Sequence, residues 1–119
     1  MIGEVNETLE GKYVQCAESS KAIASRQDML DLLAYCSEAG SNLIMLDEAH
    51  LPQAFFDLKT GLAGMILQLF ATYQVKAAIV ADLDNIKSKR FHELVYECNR
   101  SDQVNFFHEI SQAEKWLIG

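Results

Sequence analysis

The 119-residue chain carries 17 acidic and 10 basic side chains, a net charge of −7, and half of its residues are apolar. That length suits one domain with one core, and the composition lies outside the disordered range. An acidic surface repels phosphate backbones and anionic lipid, which argues against nucleic acid and membrane as partners.

Taken in chain order, the first sixteen residues predict a hairpin. A strand over 2–8 turns at Glu10-Gly11, and Lys12-Tyr13-Val14-Gln15-Cys16 returns with strand-favouring side chains. Gly11 is the residue expected to take a positive φ in that turn. Ser25 reads as a helix N-cap with Asp28 as its reciprocal acid, and Met29, Leu32, Leu33 and Cys36 share one helical face. Gly40 stands at the stop, giving a helix over 26–39. Leu43-Ile44-Met45-Leu46 is an unbroken apolar run too short for a helix, the pattern of a strand covered on both faces.

Pro52 opens or precedes the next helix, where its missing N–H does no harm. Leu62, Met65, Ile66, Leu69 and Phe70 set a helical rhythm from Gly61 onward. Residues 76–82, Lys-Ala-Ala-Ile-Val-Ala-Asp, form a second buried strand. Phe91, Leu94, Val95 and Cys98 mark a third helix that ends near Asn99. Val104-Asn105-Phe106-Phe107 is the last strand, and Ser111 is expected to cap a final helix through Ala113, Trp116 and Leu117. The order ββαβαβαβα predicts a single α/β domain spanning 1–119, with a mixed, mostly parallel sheet of about five strands, an N-terminal edge hairpin and four helices.

No stretch approaches the ~20 apolar residues of a membrane span. Residues 1–10 carry acids and no base, the reverse of a secretory signal, so the cytoplasm is the expected compartment. Cys16, Cys36 and Cys98 are odd in number and far apart, as expected of small core residues. The basic run Lys87-Ser88-Lys89-Arg90 reads as a solvated helix entrance.

Ligands of open α/β sheets gather beyond the carboxyl ends of the parallel strands. There the sequence places Asp47, Glu48 and His50, then Asp82 and Asp84, then His108 and Glu109. Asp47, His50, Asp82 and Asp84 are the candidates for a small-molecule or divalent-metal site, with capping of the following helices as the competing use of these acids. No zinc-binding histidine spacing, nucleotide-binding glycine loop or nucleophile elbow occurs, so no catalytic residue and no cofactor is assigned. The most distinctive segment is Phe55-Phe56-Asp57-Leu58-Lys59-Thr60-Gly61-Leu62-Ala63-Gly64. Two glycines three apart on a helix cost about 1 kcal/mol each. Close packing would account for them, as would a bare helix start open to an anion or to a phosphoryl group on Thr60. Phe55 and Phe56 are not both expected to face one core, and an exposed member would mark a contact patch.

The block FFDLKTGLAGMILQLFATYQVKAAIVAD, from Phe55 to Asp82, resembles a family of small bacterial proteins known as a domain of unknown function. The resemblance extends to the Tyr96-Glu97 and Phe106-Phe107 regions. More distantly, the chain is similar to the STAS-type domains of anti-sigma-factor antagonists, which have the SpoIIAA-like fold and a phosphorylatable serine in an Asp-Ser-Ser-Gly turn. That resemblance implies Asp57 for the motif acid, Thr60 for the phosphoacceptor and Gly61 for the glycine. Leu58 and Lys59 separate acid from hydroxyl, one residue more than in the STAS turn. The implied function is a non-enzymatic regulatory module. It would engage a protein partner, or a second copy of itself as a homodimer, through Phe55, Phe56, Asp57, Lys59, Thr60, Gly61 and Gly64.

Overall fold

The computed structural model describes residues 3–8 and 10–118. One five-stranded sheet runs through the molecule in the order β1-β2-β3-β4-β5, with β1 (Gly3–Thr8), β2 (Gly11–Cys16), β3 (Leu43–Asp47), β4 (Lys76–Val80) and β5 (Val104–Phe107). β1 and β2 are antiparallel, and every other pairing is parallel. The two apolar runs lie side by side, Ile44 opposite Ala77 and Leu46 opposite Ile79. Four helices complete the fold: α1 (Arg26–Ala39), α2 (Leu62–Thr72), α3 (Lys89–Asn99) and α4 (Ile110–Ile118).

Strand order follows chain order, so each crossover steps the same way across the sheet. A constant hand then puts α1, α2 and α3 on one face. The main core lies there, joining Met29, Leu32, Ile66, Phe70, Phe91 and Val95 to Val14, Ile44, Leu46, Ile79 and Phe106 of the strands. The last helix, α4, returns over the opposite face. Its Ala113 and Leu117 close a smaller core on Tyr13, Met45, Ala78 and Val80. Two alanines in β4 account for the close seating of helices on both sides: Ala77 and Ala78 are fully buried on opposite faces. Among the described residues no helix is long and apolar enough to cross a membrane.

Helix α1 starts and stops as its sequence predicts. Ser25 Oγ accepts the Asp28 N–H, Asp28 accepts the Ala24 N–H in return, and Gly40 ends the helix. Gly3 is required for a different reason: a Cβ there would lie 2.9 Å from the Tyr35 ring, so the glycine lets α1 close onto the hairpin.

Three expectations are corrected. Gly11 does not take a positive φ; it sits in β2 opposite Thr8. The connection is therefore Leu9-Glu10, of which Leu9, like Ile2 of the predicted strand, lies outside the described residues. Ser111 lies within the first turn of α4 rather than at its cap, because the helix already begins at Ile110 and the Ala113 N–H bonds to Glu109. Finally, the chain after Pro52 does not enter α2 directly. It makes two short 3-10 turns, Gln53–Phe56 and Leu58–Thr60, before α2 begins at Leu62.

Candidate functional site

The segment between Pro52 and α2 is built from three local devices. Pro52 fixes φ at −71° ahead of the first 3-10 turn, which ends at Asp57. Asp57 Oδ1 then accepts the Lys59 N–H at 3.1 Å and caps the second turn. Gly61 sits at φ 79° and reverses the chain into α2; a side-chain-bearing residue would be strained at that angle.

The Thr60 side chain, on an exposed residue, ties these pieces together. Its hydroxyl hydrogen is shared between the Ala54 carbonyl at 2.6 Å and the Asp57 carbonyl at 2.9 Å. Its oxygen accepts the Leu62 N–H at 3.2 Å. Thr60 thereby serves one of the orphan donors of the α2 start, which has no side-chain cap at Gly61. The N–H groups of Ala63 and Gly64 find no acceptor among the described residues.

Phe55 and Phe56 do share one core, contrary to the reading of the sequence. A 3-10 turn separates consecutive side chains by about 120°, and Phe91 of α3 fills the angle between them. Phe55 is fully buried, Phe56 half-buried, and the ring centroids lie 5.8 and 5.4 Å from that of Phe91. Phe91 continues to Phe106 of β5 at 5.8 Å. Edge-to-face geometry of this kind adds to burial. The Phe55 side chain therefore belongs to the core, whereas Asp57, Lys59, Thr60, Gly61 and Gly64 are exposed.

Close packing does not explain the two glycines. A Cβ at Gly61 or Gly64 would meet nothing within 4 Å. Gly61 is explained by its φ. Gly64 has helical geometry, an open outer face and no such requirement.

The acids at the strand ends sit around a groove of about 330 Å³ whose lining includes Asp47, Glu48, Asp82, His108 and Ile110. His50 and Asp84 from the candidate set are not part of it. Each of two acids already serves the backbone: Asp47 Oδ1 accepts the Ala49 N–H at 3.0 Å, and Glu48 Oε1, in the turn just after β3, reaches across to accept the Asp82 N–H at 3.1 Å. His50 is buried, its Nδ1 3.3 Å from Asp47 Oδ1, and its carbonyl accepts the Ile23 N–H. Among the described residues no three His, Cys, Asp or Glu side chains come together in a way that could hold a metal ion, so Asp47, His50, Asp82 and Asp84 do not assemble as a metal set.

The cysteines are shielded. Burial pushes the Cys16 thiol up to about 11 and the Cys36 thiol up to about 12, and Cys98, half-buried on α3, is raised for the same reason. The Tyr13 phenol is also raised, first by burial and then by Glu114, whose carboxylate accepts its hydrogen bond at 2.6 Å.

With the geometry in place, the chain can be set against known families. The family model of a domain of unknown function, DUF4180, matches residues 9–117. The chain belongs to that family. The match takes in the whole Phe55–Gly64 segment, the strand-end groove and all four helices except the last residue of α4. No curated protein and no solved structure matches the chain.

Sequence reasoning missed Phe91 as the hub of the aromatic cluster, Ala54 as the acceptor for Thr60, and Glu48 as a brace between strand ends. An Asx turn at Asp57 was readable from Asp-Leu-Lys-Thr-Gly. The reach of Glu48 to Asp82 has no local signal, because the residues are brought together only by the pairing of β3 with β4.

Proposed function

We propose that this DUF4180 domain is a non-enzymatic, STAS-like interaction module that binds a protein partner through the exposed surface of Asp57, Lys59, Thr60, Gly61 and Gly64. One observation carries the reading. Gly64 occupies the exposed first turn of α2, where alanine fits and would add about 1 kcal/mol of helix stability, yet nothing in the fold gains from its absence. A bare backbone beside two N–H groups without acceptors suits close approach by a partner carbonyl or carboxylate. The sequential sheet order and the edge hairpin support the STAS-like comparison at the level of topology.

Regulation at Thr60 would act on the turn as well as on the surface. A phosphate there removes the hydroxyl hydrogen held by Ala54 and Asp57 and sets nearly two negative charges against their carbonyls. The 54–60 turn would then open while the sheet stays folded. The test is affinity capture with the wild-type chain as bait beside Gly64→Arg and Lys59→Glu, neither of which touches the Thr60 bonds. Loss of the same bound protein from both baits is expected. A partner retained by both, with folding intact by circular dichroism, refutes the surface.

The strand-end groove supports a second reading, a small-molecule site using Asp47 and Asp82. A ligand held there would raise the melting temperature with concentration, by about 2.7 kcal/mol at a hundredfold excess over Kd. A flat thermal-shift scan with Mg²⁺, Mn²⁺ and phosphorylated metabolites removes it.

A further inference from the structure

The sheet has two edges, and they are finished differently. On β5 the outward backbone of Phe106 is already occupied: its N–H donates to Asn99 Oδ1 at 2.7 Å, and its carbonyl accepts from Asn99 Nδ2 at 3.4 Å. One side-chain amide thus takes the place of a neighbouring strand. Asn105 Nδ2 binds the Ser101 carbonyl at 2.6 Å and anchors the preceding loop beside it.

Among the described residues no such device closes β1, and its only strand partner is β2, in the register Glu7 to Lys12, Val5 to Val14 and Gly3 to Cys16. Ser41, ahead of β3, reaches the Lys12 carbonyl, so alternate residues 12, 14 and 16 of β2 face β3. Antiparallel alternation then turns the N–H and C=O groups of Gly3, Val5 and Glu7 outward. None of these groups has a further acceptor or donor among the described residues.

Acids outnumber bases along this edge, and β1 itself carries acids and no base. Glu4 and Glu7 lie on β1 and Glu10 at the hairpin tip, where Glu7, Glu10 and Lys12 line a groove of about 410 Å³. A second copy would bring the same carboxylates and a net charge of −7. An extended segment bearing alternate lysines or arginines brings the opposite charge and a matching backbone. We infer that the β1 edge is a docking site for an extended basic peptide segment, which adds a sixth strand to the sheet. This surface is built from other residues than the Asp57–Gly64 corner and does not depend on that reading.

The probe is a fluorescein-labelled Lys-Val-Lys-Val-Lys-Val-Lys peptide, titrated against the whole chain by fluorescence anisotropy. A copy with N-methyl groups on alternate amides and a Glu-for-Lys counterpart serve as controls. Glu7→Pro removes an outward N–H without touching the β1–β2 ladder, and Glu4→Lys/Glu7→Lys reverses the edge charge with the strand kept. Saturable binding is expected for the unmethylated basic peptide, about tenfold weaker with Glu7→Pro and with the methylated peptide. The double lysine variant should prefer the Glu counterpart. Equal binding of the methylated peptide, or no effect of either variant, overturns strand addition. Failure of the basic peptide to bind, with a sedimenting dimer that Glu7→Pro abolishes, overturns the basic partner in favour of a second copy.

Discussion

Replacing Gly64 with alanine should make this protein more stable, and replacing Gly61 with alanine should make it less so. At Gly64 the backbone is helical and exposed, and the space a Cβ would fill is open. The gain is the helix propensity difference and the narrowed unfolded ensemble, together about 0.5–1 kcal/mol. At Gly61 the space is equally open, but φ is 79°, and an L side chain is strained there by about 1–2 kcal/mol. The unfolding entropy of a domain of 119 residues is about 0.25 kcal/mol/K near its midpoint. Gly64→Ala should therefore raise the melting temperature by about 2–4 °C and Gly61→Ala lower it by about 4–8 °C, read by calorimetry or by circular dichroism at 222 nm. If the open face of Gly64 receives a partner backbone, the stabilised variant also loses partner capture. A Gly64→Ala protein that melts below wild type would refute the reasoning, because it would mean that the glycine is needed by the fold itself.

Other variants probe the core and its titrating groups. Phe91→Ala removes the ring that joins Phe55, Phe56 and Phe106 and should cost about 3–5 kcal/mol in urea unfolding, whereas Tyr96→Ala on the exposed face of the same helix should cost under about 0.5 kcal/mol. The thiols of Cys16 and Cys36 keep their protons in the folded chain above the pH at which unfolded thiols lose them. Their stabilisation is thus complete below pH 9 and is lost as pH rises toward 11–12, by about 2 kcal/mol for each thiol at pH 11. Urea midpoints at pH 8 and pH 11 measure this, and Cys36→Ala should flatten the slope. Asp28 has the opposite sign: the Ala24 N–H holds its carboxyl below the usual range, so its contribution is present at neutral pH and fades as pH falls through the folded value. Asp28→Asn should reduce the acid sensitivity of unfolding.

The fold was readable where pattern and burial coincide. Leu43-Ile44-Met45-Leu46 and Ala77-Ala78-Ile79-Val80 announce strands covered on both faces, and they pair as neighbours in the sheet. Ser25, Asp28 and Gly40 mark α1 because each acts on backbone groups within a few residues of itself. The misreadings have physical causes too. Ser111 is a favoured cap residue, but a cap is defined by where the helix begins, and the descent from β5 onto the second face starts α4 two residues earlier. Phe55-Phe56 looked too crowded for one core because the partner that accommodates both, Phe91, lies on a different helix. In the candidate site, the turn at Asp57 and the need for Gly61 follow from local chemistry. The bonds of Thr60 to Ala54, six residues back, depend on two successive 3-10 turns that no periodicity reveals.

The strand-end acids raise a related question, since their concentration is what suggested a ligand. In the folded chain two of them, Asp47 and Glu48, act on the backbone that follows β3 and β4. Asp47 caps the turn after β3, Glu48 holds the N–H that follows β4, and Asp57 and Asp28 do the same at their own turns. A carboxylate that accepts a backbone N–H is stabilised in its charged form without a counter-ion, and it fixes the chain where a strand must turn away from the sheet. Part of the acidity at this rim is therefore spent on turning the chain. The Gly64 face stands apart from this economy, because there a local preference is given up and no contact inside the domain is gained in return. That asymmetry is why the exposed start of α2, rather than the more heavily charged rim, is the stronger place to look for a partner.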